Sequence, residues 1–102
     1  MDLKSGLVLN MDKLKKFRLS FGSGFIREEV KIKNPHWEPC IQYMDFTDGH
    51  AKDLKALRFC VYSKGRFLRN VPLIIGENDI KRLKKEIKKN KNIHKFLKKL
   101  VG

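Results

Sequence analysis

Apolar positions recur with two periods along this chain, alternating through its middle and at helical spacing toward its end. From Leu57 to Ser63 the alternation is regular: Leu57, Phe59 and Val61 share one parity, Arg58, Cys60 and Tyr62 the other. Lys64-Gly65 reads as a short turn, and between Arg66 and Ile75 the residues Phe67, Val71, Leu73 and Ile75 again share a parity. Two strands separated by two residues predict a β-hairpin. Pro72 has no amide hydrogen to give a ladder, so it predicts an edge or a bulge in that second strand. Upstream, Phe25–Lys33 alternates, with Ile26, Val30 and Ile32 opposed to Arg27, Lys31 and Lys33, and the aromatic run Cys40–Phe46 follows Pro39. Both predict strands. The polar stretch Thr47–Lys55 predicts a loop. Residues 11–21 fit two patterns: Met11, Leu14, Phe17 and Phe21 match a helix, while Phe17, Leu19 and Phe21 match a strand turning through Gly22-Ser23-Gly24.

Toward the C-terminus the period changes. Gly76-Glu77-Asn78-Asp79 supplies turn and capping residues ahead of Ile80, Leu83 and Ile87, and a second stripe follows at Ile93, Phe96, Leu97 and Leu100. On one continuous helix the two stripes would lie about 110° apart. A break at Asn90-Lys91-Asn92 brings both onto one core, so the spacing predicts helices over about 79–90 and 92–101, the second capped by Asn92. The fold class is α+β: an antiparallel meander of about four strands followed by a kinked basic C-terminal helix. The 102 residues make a single domain, with 1–20 open between helix and strand, the sheet over 21–76 and the helices over 77–102.

Composition adds a partner class. The chain has 24 Lys and Arg against 11 Asp and Glu, a net charge of +13, where a small domain ordinarily carries about 2–8. A hydrophobic content of 41% is too high for a disordered polybasic tail. The excess favours an anionic partner, nucleic acid first and a membrane surface second. Residues 79–102 hold ten basic residues against Asp79 and Glu86, a net +8. Like-charge pairs four apart, such as Lys81/Lys85, Lys84/Lys88, Lys85/Lys89 and Lys95/Lys99, each cost a helix a few tenths of a kcal/mol. Their repetition reads either as a solvated face or as a phosphate-binding one. A lipid surface fits less well, because the few apolar positions of these helices are needed for the core.

No apolar run approaches the roughly 18–20 residues of a membrane span, and Gly6-Leu7-Val8-Leu9 is shorter than the about 7–15 of a secretory core. A cytoplasmic chain is expected, with Cys40 and Cys60 as buried thiols rather than a disulfide. Eighteen Lys against six Arg is compatible with a hyperthermophile source or with an AT-rich genome.

Single strands are gripped by stacking on aromatics beside basic side chains. That pattern singles out Trp37, Tyr43, Arg58, Tyr62, Lys64, Arg66 and Arg69 on the sheet, with Lys81, Lys84, Lys85 and Lys88 on the helix for phosphates. Phe59 and Phe67, with apolar partners on their own parity, are expected in the core. Tyr43, Tyr62 and Trp37 are equally compatible with a place at the core rim.

The run Ser63-Lys64-Gly65-Arg66-Phe67-Leu68-Arg69, ahead of a strand and a helix, resembles the purine-rich-element-binding (Pur) repeat with its Gly-Arg-Phe-Leu-basic strand. The order of meander then helix is similar to the transcriptional positive cofactor four and Whirly group, and to archaeal single-stranded DNA-binding proteins of the Thermoproteales type. The resemblance covers roughly residues 38–90, and its local motif is about five residues long. It implies single-strand binding by a curved antiparallel sheet, commonly in a homodimer. It also implies phosphate or base contacts from Arg66 and Arg69, and a buried or stacking ring at Phe67. The chain departs from the pattern at Pro72 and in its second basic helix.

Other chemistry is thin. His36, Cys40, His50 and Cys60 match no common zinc spacing, and neither a metal nor a cofactor is expected. Asp45, Asp48 and Asp53 admit a metal-dependent nuclease as an alternative, against their reading as turn residues. A basic interaction module of a ribosome or polymerase complex is the other alternative.

Overall fold

Alternating β-branched and aromatic residues make five strands, one more than the periodicity predicts. The computed structural model of the protein describes residues 14–102. The strands are β1 (Lys15–Leu19), β2 (Gly22–Lys31), β3 (Glu38–Asp48), β4 (Lys55–Ser63) and β5 (Arg66–Leu68). They form one antiparallel sheet in chain order. A turn of 3₁₀ helix (Glu77–Asp79) then leads into α1 (Ile80–Lys88) and α2 (Lys91–Val101). The α+β class holds. The ambiguous N-terminal stretch resolves as strand from Lys15 onward, while Met11 and the Gly6–Leu9 run lie outside the described residues. No helix among the described residues is long and apolar enough to cross a membrane.

The hairpin of β4 and β5 turns at Lys64-Gly65 with φ of 50° and 79°, the paired positive values of a type I′ turn. Its second strand stops at Leu68 rather than running to Ile75. Pro72 lies in the irregular segment beyond it, where its missing amide hydrogen costs no ladder bond. Because β5 pairs only with Val61–Ser63, the edge of β4 beside Phe59 has no neighbouring strand. Phe59 is therefore 47% exposed instead of in the core.

The sheet has two unlike faces. One carries Val30, Ile32 and Ile41, which pack with Leu83 of α1 and Ile93 of α2; Tyr43 and Leu57 border the same cluster. The other carries Phe17, Ile26, Met44 and Phe46, and beside them Cys40, Cys60 and Tyr62. A bulge between Ile26 and Glu28 shifts the parity of β2, leaving Arg27 as the extra residue. Ile26 thus shares the second face with Glu29 and Lys31, while Glu28 opposes Tyr43 on the helix side.

That shift decides how α2 begins. The helices break at Asn90, whose φ of −114° and ψ of 95° are extended. The Glu28 carboxylate accepts from the amides of Asn92 (3.0 Å) and Ile93 (2.9 Å) and from Asn92 Nδ2 (2.7 Å). A strand carboxylate therefore satisfies the free amides of the helix start, where negative charge is favoured. Asn92 was expected to cap this helix; instead it is capped. At the other helix, Arg82 donates to the Lys33 carbonyl (3.2 Å), to Asn34 Oδ1 (2.9 Å) and to the buried Asp79 carboxylate, fastening the β2–β3 connection to α1.

Candidate nucleic-acid interface

The face of the sheet turned away from the helices is curled into a trough of about 950 Å³. One wall is the β1 edge, where Lys15 and Phe17 share the trough face; the other carries Arg58, Phe67 and Arg69. Ile26, Cys60 and Tyr62 line it between them. Lys16, Arg18 and Phe59 border the trough through their strands, with side chains on the alternate parity, and Glu29 shares its face, paired with Lys15.

A polar network underlies this surface. Wholly buried Gln42 donates through Nε2 to the Glu29 carboxylate (2.6 Å) and to the Tyr62 hydroxyl (3.1 Å). Its Oε1 accepts from Arg58 Nε (2.8 Å). Glu29 only accepts and Arg58 only donates, so the two neighbours orient the amide. Glu29 also takes Lys15 Nζ at 2.9 Å, which holds β1 to β2 across the trough wall. No buried side-chain nitrogen or oxygen among the described residues lacks a partner. Burial pushes the Glu29 carboxyl up, and the hydrogen bonds from Gln42 and Lys15 more than offset it, leaving it below the usual carboxylate range.

The sign of the resulting pH dependence follows. With Glu29 titrating lower in the folded chain, the unfolded chain binds more protons through that window. The stabilisation is complete above the unfolded value of about 4.3 and is lost as pH falls through the folded one. Urea midpoints measured from neutral pH to about pH 3 are expected to decline more steeply for the wild type than for Glu29→Gln. Equal declines would remove Glu29 from the acid response.

The sequence-predicted residues are divided between surfaces. Arg58, Tyr62 and Arg69 come together at the trough. Lys64 and Arg66 are exposed at the β4–β5 turn beside it. Tyr62 is only 9% exposed: its ring lies under Lys31 Nζ at 4.1 Å and against Phe67 at 5.5 Å, and its hydroxyl is held by Gln42. It is a buried support rather than an open platform. The open ring is Phe67, 41% exposed with the Arg58 guanidinium 4.8 Å above it. Its edge-strand position explains why it is not in the core.

Trp37 is tied by its indole N–H to the Ile74 carbonyl (3.2 Å) and lines a small apolar crevice with Val61, Val71, Pro72 and Ile74. Tyr43 lies on the helix face, in a cleft with Lys55, Asn92, Lys95, Phe96, Lys99 and Leu100. Lys81, Lys84, Lys85 and Lys88 are exposed on α1, across the sheet from the trough. The trough and the helix lysines thus lie on opposite faces of the sheet.

Sequence reasoning missed Lys15, whose segment fitted two patterns, and it missed Glu29 and Gln42. Gln42 did leave a signal: it is the one amide inside the run Cys40–Phe46. The acidic loop does not assemble into a metal site. Asp45 pairs with Lys55 (2.6 Å) and Arg27 (3.1 Å), and Asp48 accepts from the Gly49 amide (2.8 Å). Among the described residues no three His, Cys, Asp or Glu side chains group as metal ligands. No family model matches this chain, and no curated protein or solved structure is significantly similar to it.

Proposed function

We propose that this protein is a non-catalytic nucleic-acid-binding module that takes a single strand of DNA or RNA along the trough. The observation that carries this reading is the lining: Lys15, Arg58 and Arg69 beside the exposed ring of Phe67, with the Arg58 guanidinium 4.8 Å above that ring. Basic side chains on both walls suit a phosphate backbone, and an exposed ring beneath a guanidinium suits a stacked base. Each stacked base contributes about 1–3 kcal/mol. Phe67 takes the stacking role, while Tyr62 and Gln42 hold Arg58 and the trough floor in place. Lys64 and Arg66 extend the basic surface at one end.

Fluorescence anisotropy with oligo(dT), oligo(U) and a duplex across a salt series tests this. Neutralising three phosphates gives a slope of log K against log salt of about −2.1 for a single strand. Phe67→Ala is expected to weaken single-strand binding by about tenfold or more, and duplex binding less. Absence of binding at low salt would sink the proposal. Metal-dependent cleavage of the labelled strand would replace it with a nuclease.

A further inference from the structure

Cys40 and Cys60 stand directly opposite each other on β3 and β4. Facing residues of antiparallel strands have Cα atoms about 4.5–5.5 Å apart, within the roughly 4.4–6.8 Å that a disulfide spans. Both are free thiols. Their surroundings differ. Cys40 is wholly buried, with its Sγ 3.5 Å from Glu29 Oε2. Cys60 lines the trough and shares its strand face with Arg58, two residues away. We propose that this pair is a redox-active dithiol, a site of reversible disulfide formation with low-molecular-weight disulfides that enter the trough. The proposal is independent of nucleic-acid binding.

The asymmetry assigns an order to the two sulfurs. The neighbouring Cys40 thiol holds Cys60 below the usual thiol range, with Arg58 adding to it against the effect of burial. The Cys60 sulfur, burial and the Glu29 charge hold Cys40 above that range. Cys60 is the attacking thiolate, since the thiolate rather than the thiol is the nucleophile. It attacks one sulfur of a small disulfide RSSR, breaking that S–S bond, forming Cys60–S–S–R and releasing RS⁻. The Cys40 thiol then gives its proton to the released RS⁻ and attacks Cys60 Sγ. The intramolecular disulfide forms and a second RS⁻ leaves. Two protein thiols are oxidised to one disulfide, RSSR is reduced to two RSH, and the two thiol protons go to the released thiolates. The product ties β3 to β4 beside the Gln42–Arg58 pair and removes the S–H that faces Glu29.

The test incubates the full chain with mixtures of reduced and oxidised glutathione under native conditions, then alkylates free thiols and reads intact and peptide masses. The expected product is a monomer lighter by two hydrogens, with the Cys40 and Cys60 peptides joined. Cys40→Ser is expected to stop at a mixed disulfide on Cys60, and Cys60→Ser to react about tenfold more slowly or less. The wild-type time course decides even where a variant fails to fold: a glutathione adduct on Cys60 must precede the intramolecular bond. Thiols that stay reduced in fully oxidised glutathione would overturn the proposal. So would an adduct that appears first on Cys40, or a disulfide that forms only in denaturing urea.

Discussion

Gly24→Ala is expected to cost about 3 kcal/mol or more, at or above the top of the usual range for overpacking. A Cβ built on Gly24 falls 1.9 Å from the Asp45 carbonyl oxygen and 2.9 Å from its carbonyl carbon, with Phe46 Cα at 3.0 Å. These are backbone atoms of the neighbouring strand, so no rotamer change relieves the clash. β3 has to move away from β2, and it cannot do so freely. Phe17 faces Gly24 across β1, and its ring meets Phe46 edge to face at 4.8 Å. Gly24 also borders one of the two irregularities in the β2–β3 register, where the strand bends and sheet curl increases. The methyl group is thus placed where the sheet folds over to make the trough. Against a total stability of about 5–15 kcal/mol, the loss lowers the melting temperature by more than about 10 °C. Thermal and urea unfolding measure it. Gly76→Ala is the control: its φ of −74° suits any residue and its added Cβ meets only Asp79 Oδ2 at an ordinary 3.5 Å. Equal melting temperatures for the two variants would refute the packing argument.

The position of that glycine shows where a sequence stops being informative. Local geometry was legible. The Lys64-Gly65 turn, the alternation of β4 and the helix break at Asn90 each depend on residues within a few positions of one another. The strand at Lys15–Leu19 was undecided because Phe17 satisfies both periods, and pairing with β2 resolves it. The bulge at Arg27 was not legible, because an extra residue is defined only by the strand opposite. It nevertheless decides that Glu28 reaches α2 while Glu29 reaches Gln42. The divided site follows from the same limit. Tyr43 and Arg58 are both polar-capable residues on neighbouring strands, yet the β3–β4 register pairs Arg58 with Gln42 and Tyr43 with Leu57. Charge alone could not separate the trough from the helix lysines, since both add to the same +13.

Ile93→Ala is expected to cost about 2–5 kcal/mol and to separate those two surfaces. Ile93 is 0% exposed in the first turn of α2, packed with Val30, Ile32, Ile41 and Leu83. Truncation opens a cavity between the helices and the sheet, and the sheet side is too constrained by its ladders to collapse into it. The damage is confined to the helix face, while the trough is lined entirely by residues outside that cluster. Sites that share no partners behave independently to within roughly 0.5 kcal/mol. At a temperature where the variant stays folded, its affinity for oligo(dT) is therefore expected to lie within about twofold of the wild type. The charge reversal Arg69→Glu should do the opposite. Its side chain is exposed just beyond the end of β5, so unfolding shifts by only about 0.5 kcal/mol, while affinity and salt slope both fall. If Ile93→Ala abolishes binding while the protein remains folded, and Arg69→Glu leaves it intact, the strand lies on the lysines of α1 and α2 and the trough has another occupant.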